Sequence, residues 1–181
     1  MRHPTRWIAL GVAVVVVVVG VVLATQVGDD PRAETQRSQL VGHAAPSFSV
    51  KPLEGGTLTR ADLAGRTVIV NFWNTWCAPC RAELPDLKRF WARHRDDPSV
   101  AFVGIVRDDG ESAVREYVAA EAIDWTIARD PAARAALDFG TRGQPETFAI
   151  SPEGVIAGAQ IGPSSVRDLE VMLDAARGEP R

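Results

Sequence analysis

The sequence predicts one α/β domain with a mixed sheet, preceded by a single transmembrane helix. Two observations predict the domain. Between about residues 41 and 178, apolar runs with β-branched residues alternate with stretches of helical periodicity, and a hairpin and a helix close the chain. A third observation predicts the membrane helix, because residues 7–24 form an apolar run without a charge.

The size and charge of the chain exclude several classes of protein. Its 181 residues suit one ordinary domain with a short addition, and 20 Lys and Arg against 23 Asp and Glu give a net charge of −3. Nucleic-acid binding needs a clustered basic excess, so we expect no nucleic-acid partner. The two cysteines of the sequence, Cys77 and Cys80, are too few for a multi-disulfide scaffold or a four-cysteine zinc site.

The apolar run at residues 7–24 has the length of a membrane span. A helix over it is about 27 Å long, close to the hydrocarbon thickness of about 30 Å. Arg2 and Arg6 precede the run, and Asp29 and Asp30 follow it. The positive-inside rule therefore places the N-terminus in the cytoplasm and everything after the run outside.

These features predict four segments. Residues 1–6 are a cytoplasmic N-terminus, 7–27 a single-pass anchor in the cell membrane, 28–40 a polar linker, and 41–178 a folded domain on the extracytoplasmic side. The alternative is a cleaved secretory signal, which would export the same domain.

The first half of the domain is predicted to be built around one long helix and two buried strands. The elements are a hairpin at 47–51 and 57–59, a helical turn at 60–64, a strand at 67–73, a helix at 79–95 and a strand at 100–106. The continuous apolar run at 67–73 suits a strand covered on both faces, so we expect it at the sheet centre. Leu84, Leu87 and Trp91 continue a buried helical stripe that starts at Cys80, and Pro85 should kink that helix.

The second half of the domain is predicted to alternate helices and strands. Its elements are a helix at 111–122, a strand at 125–128, a short helix at 131–137, strands at 147–150 and 155–161, and a last helix between Ser165 and Gly178. Asp109 is placed to cap the first of these helices and Ser165 the last. His94, between two arginines, is expected on a solvated helix face.

The chemistry is predicted at Cys77 and Cys80, where the central strand ends and a helix begins. Two thiols at this spacing can close a small disulfide ring. The helix N-terminus stabilises a thiolate at Cys77, and such surroundings lower a cysteine pKa from about 8.5 to about 3.5–7.5. Cys80, one turn further, should be more buried and act as the resolving thiol. Pro79, early in the helix, stiffens the ring.

Other roles for the two sulfurs stay open on these grounds. They could form an inert disulfide, half of a zinc site or, with a histidine, a copper site. A zinc site needs two more ligands, but His43 lies near the linker and His94 on a solvated face. No histidine follows a strand end, so we predict no metal.

Three sequence runs carry a resemblance to a known group of proteins. They are GHAAPSF at 42–48, NFWNTWCAPCRAELP at 71–85 and GQPETF at 143–148. With them, residues 41–178 resemble the membrane-anchored thioredoxin-like proteins of cytochrome c maturation, the TlpA/ResA/CcmG (DsbE) group. The resemblance implies a thioredoxin-like fold with an N-terminal β-hairpin extension and a helical insertion before a cis-proline segment.

The resemblance also implies roles for individual residues. Cys77 matches the nucleophile and Cys80 the resolving thiol of a redox-active disulfide. Pro145 matches the cis-proline beside which a substrate strand pairs. Glu83 matches an acidic residue that tunes or deprotonates the buried thiol, and its helical spacing independently puts it on the Cys80 side. The alternative for Glu83 is a first-turn carboxylate favoured by the helix dipole.

Further residues are expected to shape the site. Trp76 should cover the disulfide, and Glu146 is similar to the group's second acidic residue, the alternative being a carboxylate at the rim. Gln144 stands where the group has a small residue, which bears on substrate preference. Asn71 stands where thioredoxins have a buried aspartate, so proton transfer should not follow the thioredoxin route. The tryptophans assigned to the core are Trp73, Trp91 and Trp125.

The resemblance implies a protein-disulfide oxidoreductase that reduces apocytochrome c, or another exported protein's disulfide, before haem attachment. No cofactor beyond the redox-active disulfide is expected, and electrons should come from a membrane-embedded dithiol carrier of the CcdA or DsbD kind. One alternative is a DsbA-like oxidase of exported proteins. The other is a non-enzymatic copper or haem-assembly chaperone.

Overall fold

The computed structural model describes residues 17–18 and 38–178. The chain divides after Gln36 into two units, and the second contains the fold. Within the described residues, no helix combines the length and the apolar character that a bilayer crossing requires. The predicted cytoplasmic segment and anchor at 1–27 lie outside the described residues, apart from 17–18, and so does most of the predicted linker.

A seven-stranded mixed sheet organises the domain. Its strands are β1 (Ser49–Pro52), β2 (Leu58–Thr59), β3 (Thr67–Trp73), β4 (Val100–Val106), β5 (Thr126–Arg129), β6 (Glu146–Ile150) and β7 (Ile156–Ile161). The strand order is β2-β1-β5-β4-β3-β6-β7. Strands β3, β4 and β5 are parallel, whereas β1, β6 and β7 pair antiparallel to their neighbours. The predicted α/β class with a mixed sheet and an N-terminal hairpin is confirmed.

The middle strand is β4 and not β3, which corrects the expected sheet centre. Both strands are buried along their whole length, as their apolar sequences predict. Because β5 and the β1–β2 hairpin all add on the β4 side, β3 is displaced by one position.

Helices cover both faces of the sheet. They are a 3₁₀ helix at Arg60–Leu63, α1 (Ala78–His94), α2 (Glu111–Ala120), α3 (Arg134–Asp138) and α4 (Val166–Arg177). Side chains of α1, α2 and α4 join one core cluster with Ile69 of β3, whereas the 3₁₀ helix and α3 join another with Val68 and Val70. Successive side chains of a strand point to opposite faces, so β3 supplies both cores. Helix α3 occupies the position of the predicted insertion.

Helix α1 runs without interruption through Pro85. The predicted buried stripe is confirmed as far as Leu87. At its end Phe90 is fully buried, whereas Trp91 is half-buried and packs against the same core cluster. The interpretation of His94 as solvated is wrong. Its Nε2 lies 2.9 Å from a carboxylate oxygen of Glu170, and its ring packs against Phe90 at a centroid distance of 4.7 Å.

The register of the central strands brings two loops together. In the antiparallel β3–β6 pair, Phe72 lies opposite Glu146. The end of β3, where the chain turns into α1, therefore meets the beginning of β6, which follows Pro145. The cysteine segment and the proline segment thus share one edge of the sheet.

Candidate active site

Cys77 and Cys80 form a disulfide at the start of α1. Cys77 is the N-cap residue, and its Sγ accepts a hydrogen bond of 3.2 Å from the backbone N–H of Cys80. Pro79 lies in the first turn, where a missing N–H costs the helix no hydrogen bond. Unpaired amides and the helix dipole favour negative charge at the N-cap. In the reduced protein, this position therefore stabilises the thiolate of Cys77.

The predicted difference in exposure between the two cysteines is wrong for this disulfide form. Cys77 is 4% exposed and Cys80 is 5% exposed. The disulfide holds both sulfurs against the core cluster of α1, so neither presents a large surface to solvent. What distinguishes Cys77 is its position at the helix terminus and not its accessible area.

Trp76 is exposed immediately before the disulfide. Its side chain retains 60% exposure, and its indole N–H donates a hydrogen bond of 3.3 Å to the backbone oxygen of Asp108. An exposed aromatic ring beside a reactive sulfur offers a contact surface to a polypeptide.

The peptide bond between Gln144 and Pro145 is cis. The backbone oxygen of Gln144 lies 3.7 Å from the Sγ of Cys77. Its side-chain oxygen accepts a long hydrogen bond of 3.5 Å from Arg107. The proline segment thus presents a backbone carbonyl directly beside the sulfur of Cys77.

Glu83 is buried one turn after Cys80, with 3% exposure. Its Oε1 accepts a hydrogen bond of 3.0 Å from the side-chain amide of Asn71, and its Oε2 accepts one of 2.8 Å from the backbone N–H of Ser164. The first turn of α1 contains no acidic residue, so Glu83 lies beyond the place that the alternative, a first-turn carboxylate favoured by the helix dipole, gave it.

Burial raises the pKa of Glu83 to about 7, because the charged form loses its hydration. The hydrogen bonds from Ser164 and Asn71 act in the opposite direction, and the charge of Asp86 adds to the rise. A carboxyl that titrates near neutral pH can both accept and return a proton under physiological conditions.

A cavity of about 10 Å³ lies against both Cys80 and Glu83. Asn71, Trp73 and Tyr117 are among the other side chains that line it. A cavity of this size holds about one water molecule. The resolving sulfur and the buried carboxyl therefore border the same water-sized space.

Two residues that the sequence reasoning missed complete the polar cluster around Glu83. Thr147 accepts a hydrogen bond of 3.0 Å from the amide of Asn71, and the hydroxyl groups of Ser164 and Thr147 lie 3.3 Å apart. Thr147 could have been found from its place two residues after Pro145. Ser164 carries no local signal, because it lies 81 residues from Glu83 in the chain.

Glu146 is buried at 3% exposure, so its interpretation as a rim carboxylate is wrong. Its Oε1 accepts hydrogen bonds from the backbone N–H groups of Arg142 and Gly143, at 2.8 and 3.0 Å. Because β6 alternates, Glu146 faces the side of the sheet opposite to Thr147 and Glu83. Its hydrogen bonds hold the loop before Pro145. Its side chain lies on the face of the sheet opposite to Glu83.

Comparison with known proteins agrees with this geometry. Residues 41–159 match the AhpC/TSA family. The chain belongs to this family. It is 29% identical over 141 residues to the thiol-disulfide oxidoreductase ResA of Bacillus anthracis, covering 78% of this chain and 80% of that protein. It is 34% identical over 127 residues to the thiol:disulfide interchange protein DsbE of Pseudomonas fluorescens biotype C, covering 69% and 68%.

Solved structures of this kind share the fold. A thiol:disulfide interchange protein of the thioredoxin family from Chlorobium tepidum TLS has 32% identity and a TM-score of 0.64, over 74% of this chain and 94% of that one. MTB DsbF, in mixed oxidised and reduced forms, has 28% identity and a TM-score of 0.65, over 71% and 94%. The expected resemblance to ResA- and DsbE-type proteins and the thioredoxin-like fold are confirmed.

Membership of this group settles the chemistry of the two cysteines. The protein is a thiol–disulfide oxidoreductase, and Cys77 and Cys80 form its CxxC disulfide. An inert structural disulfide is therefore excluded. Among residues 38–178, no three His, Cys, Asp or Glu side chains are grouped as a metal ion would require.

Proposed function

We propose that this protein reduces disulfides of exported proteins outside the cytoplasm, with apocytochrome c as its substrate. The observation that carries the reducing direction is Glu83, the buried carboxyl that borders the same cavity as Cys80. A strong oxidant such as DsbA owes its potential to a stabilised reduced form. Negative charge on Glu83 destabilises a nearby thiolate, which favours the disulfide form and makes the reduced enzyme a better donor.

The reaction is a two-electron exchange in two steps. The Cys77 thiolate attacks one sulfur of the substrate disulfide, which forms a mixed disulfide and releases the other substrate sulfur as a thiolate. The thiol of Cys80 then transfers its proton to Glu83, and its thiolate attacks the Sγ of Cys77. The Cys77–Cys80 disulfide closes as the second substrate thiolate leaves. The substrate is reduced and the enzyme oxidised, with no cofactor beyond the disulfide.

The substrate is proposed from the residues next to the disulfide and from the resemblance to cytochrome c maturation proteins. Trp76 offers an exposed aromatic surface, and the backbone carbonyl of Gln144, beside Cys77, offers a hydrogen-bond acceptor. An extended segment can pair with that carbonyl as an added strand would. The two cysteines of apocytochrome c lie in such a segment and must be free thiols before haem attaches.

The proposed location follows from the apolar run at 7–24, which supplies a single-pass anchor with the domain outside. NADPH does not reach that compartment, so a membrane-embedded dithiol carrier of the CcdA or DsbD kind is the proposed electron donor.

Trapping of the mixed disulfide tests the proposed substrate. Cys80→Ser removes the resolving thiol, so the partner should stay covalently attached to Cys77. We expect the trapped species to be dominated by proteins with a Cys-x-x-Cys-His segment, identified by mass spectrometry after non-reducing separation. The double variant Cys77→Ser/Cys80→Ser is the matched control and should trap nothing. A broad set of exported proteins would instead indicate an oxidase.

The reduction potential separates the two directions. Equilibration of the protein with dithiothreitol or glutathione buffers should give a value well below about −200 mV, whereas a DsbA-like oxidant lies near about −120 mV. A value of about −120 mV would overturn the proposed reducing role.

The chaperone alternative predicts a different outcome. The Cys80→Ser variant would then trap no partner, and the unaltered protein would bind copper tightly through both sulfurs.

A further inference from the structure

The loop between β4 and α2, residues 107–110, contacts the segment that leads into the disulfide. The side-chain amide of Asn74 donates to the backbone oxygen of Arg107. The carboxylate of Asp109 accepts two hydrogen bonds of 2.8 Å from Thr75, one from its backbone N–H and one from its hydroxyl. Trp76 donates to the backbone oxygen of Asp108. Each of the three residues before Cys77 is thus bonded to this loop.

The same loop also reaches the proline segment. Arg107 donates to the side-chain oxygen of Gln144, the residue whose backbone carbonyl lies beside Cys77. The β4–α2 loop therefore contacts both Trp76 and Gln144, the two residues proposed to meet the substrate beside the disulfide.

Asp109 bonds to Thr75 and does not cap helix α2. The sequence predicts that it caps α2, but the N-cap of α2 is Gly110 and no side chain caps it. The Oδ1 of Asp109 accepts from the adjacent N–H of Gly110, at 2.9 Å, and its Oδ2 accepts from Thr75. Asp109 thus lies one residue before the N-cap, and its Oδ2 bonds to a residue 34 positions away in the chain.

The backbone of the loop is arranged to allow this contact. Asp108 has a φ of 51°, in the left-handed region that side chains other than glycine seldom adopt. Aspartate is among the residues that tolerate it, and such strain persists where surrounding contacts hold it. The turn presents the carbonyl of Asp108 to Trp76, while the next residue's carboxylate meets Thr75.

We propose that Asp109 is a positioning residue for thiol–disulfide exchange, because its carboxylate holds Thr75, and with it Trp76 and Cys77, in the orientation that meets a polypeptide substrate. Hydrogen bonds to a carboxylate are roughly twice as strong as those between neutral groups. Thr75 donates two of them to Asp109, so its backbone and its side chain are both held by this loop. The inference rests on the exchange activity and not on which protein is the substrate.

The test compares a polypeptide disulfide with a small one. The rate constant of the reduced enzyme is measured with oxidised glutathione, with an oxidised Cys-x-x-Cys-His peptide, and with a peptide whose disulfide has no such histidine. In Asp109→Ala we expect the rate with both peptides to fall about tenfold relative to the rate with glutathione, since misplacement by about 1 Å costs up to about a hundredfold. Glutathione is small and needs little of the surface around the disulfide.

Two variants of Thr75 differ in whether the hydroxyl is kept. Thr75→Ser keeps it and should leave the ratio of peptide to glutathione rates unchanged. Thr75→Val removes one hydrogen bond to Asp109 and should lower that ratio. In the Asp109→Ala background, Thr75→Val should have no further effect, because the acceptor is already gone. Asp138→Asn removes an exposed carboxylate of α3 and controls for loss of charge alone.

An unchanged rate ratio in Asp109→Ala, or full additivity of the two substitutions, would overturn the positioning role. If the rate constants with the peptides and with glutathione fell equally, and the melting temperature fell with them, Asp109 would be a structural contact and not a positioning residue. If Asp109→Ala does not fold, Asp109→Asn and Thr75→Val decide the question by the same ratio. Equal rates of the unaltered enzyme with the two peptides would count against the proposed substrate only.

Discussion

Glu83 is a titrating group inside the polar cluster that borders Cys80. Its neighbours Asn71, Thr147 and Ser164 are uncharged and buried, so Glu83 is the carboxyl of this cluster. Asn71 donates to Glu83, a contact that an aspartate at the same position would replace with repulsion between two acids. The amide thus allows a single buried carboxyl to titrate near neutral pH.

The raised pKa of Glu83 makes the folded state less stable as the pH rises. The group keeps its proton in the folded protein up to about pH 7, whereas its ordinary pKa is 4.5. Its contribution to stability is therefore complete below about pH 4.5 and is lost as the pH rises through 7, by at most about 3 kcal/mol. Glu83→Gln should remove this loss, so the variant should gain stability relative to the unaltered protein between pH 5 and 8.

Urea denaturation of the oxidised protein across this pH range measures the difference in unfolding free energy. Glu54→Gln, in the exposed β1–β2 turn, removes a carboxyl outside the polar cluster and is the matched control. A flat difference for Glu83→Gln would show that Glu83 is already ionised at pH 5.

Strand β4 combines a continuous apolar sequence with one glycine, Gly104. A Cβ at this position would lie 2.7 Å from the Cδ1 of Ile127 and 2.8 Å from the indole nitrogen of Trp73. The indole nitrogen of Trp125 would lie 3.3 Å away. The glycine therefore makes room for two tryptophans that line the cavity beside Cys80.

Gly104→Ala should overpack this side of the sheet. We expect a loss of about 1–3 kcal/mol in unfolding free energy, since the neighbours are rings and a branched chain in a close-packed core. Gly143→Ala is the comparison, because a Cβ there meets nothing within 4 Å, and its effect should stay within about 0.5 kcal/mol. Chemical denaturation measures both. A Gly104→Ala variant as stable as the unaltered protein would mean that Trp73 moves aside at no cost.

At the scale of the whole molecule, the catalytic edge of the sheet belongs to the compact unit that begins at Arg37, while the proposed anchor lies before residue 28. If Arg2 and Arg6 keep the N-terminus inside, a reporter enzyme that works only after export should be active when fused after Gly178. The same reporter fused after Arg6 should be inactive. The protein should also stay with the membrane fraction after a high-salt wash, and release of the domain into the soluble exported fraction would favour a cleaved signal.

The parts predicted well from sequence are those whose signal is local. Strands β3 and β4 match their predicted limits, because a continuous β-branched apolar run describes a doubly covered strand by itself. Ser165 caps α4 as predicted, through a capping box with Asp168. The prediction from local sequence was wrong at Asp109, whose carboxylate bonds to Thr75 and does not cap α2.

The candidate site was predictable in its sulfurs and not in its surroundings. Cys77 and Cys80 stand out by spacing, and the resemblance supplied Pro145 and Glu83. Ser164 did not stand out, because its contact with Glu83 depends on how the β7–α4 loop meets α1. The burial of Glu146 depends on side-chain alternation in β6 next to a loop. Hydropathy alone predicts that a glutamate is exposed.

Glu146 and Thr147 are adjacent in β6, yet one holds the loop before Pro145 and the other joins the polar cluster on the opposite face. Gain or loss of one residue in this stretch would turn each side chain to the wrong face of the sheet. Both arrangements would then fail together, whatever residues were present. Over evolution, this stretch can accept changes of residue one position at a time, whereas its length must be inherited unchanged.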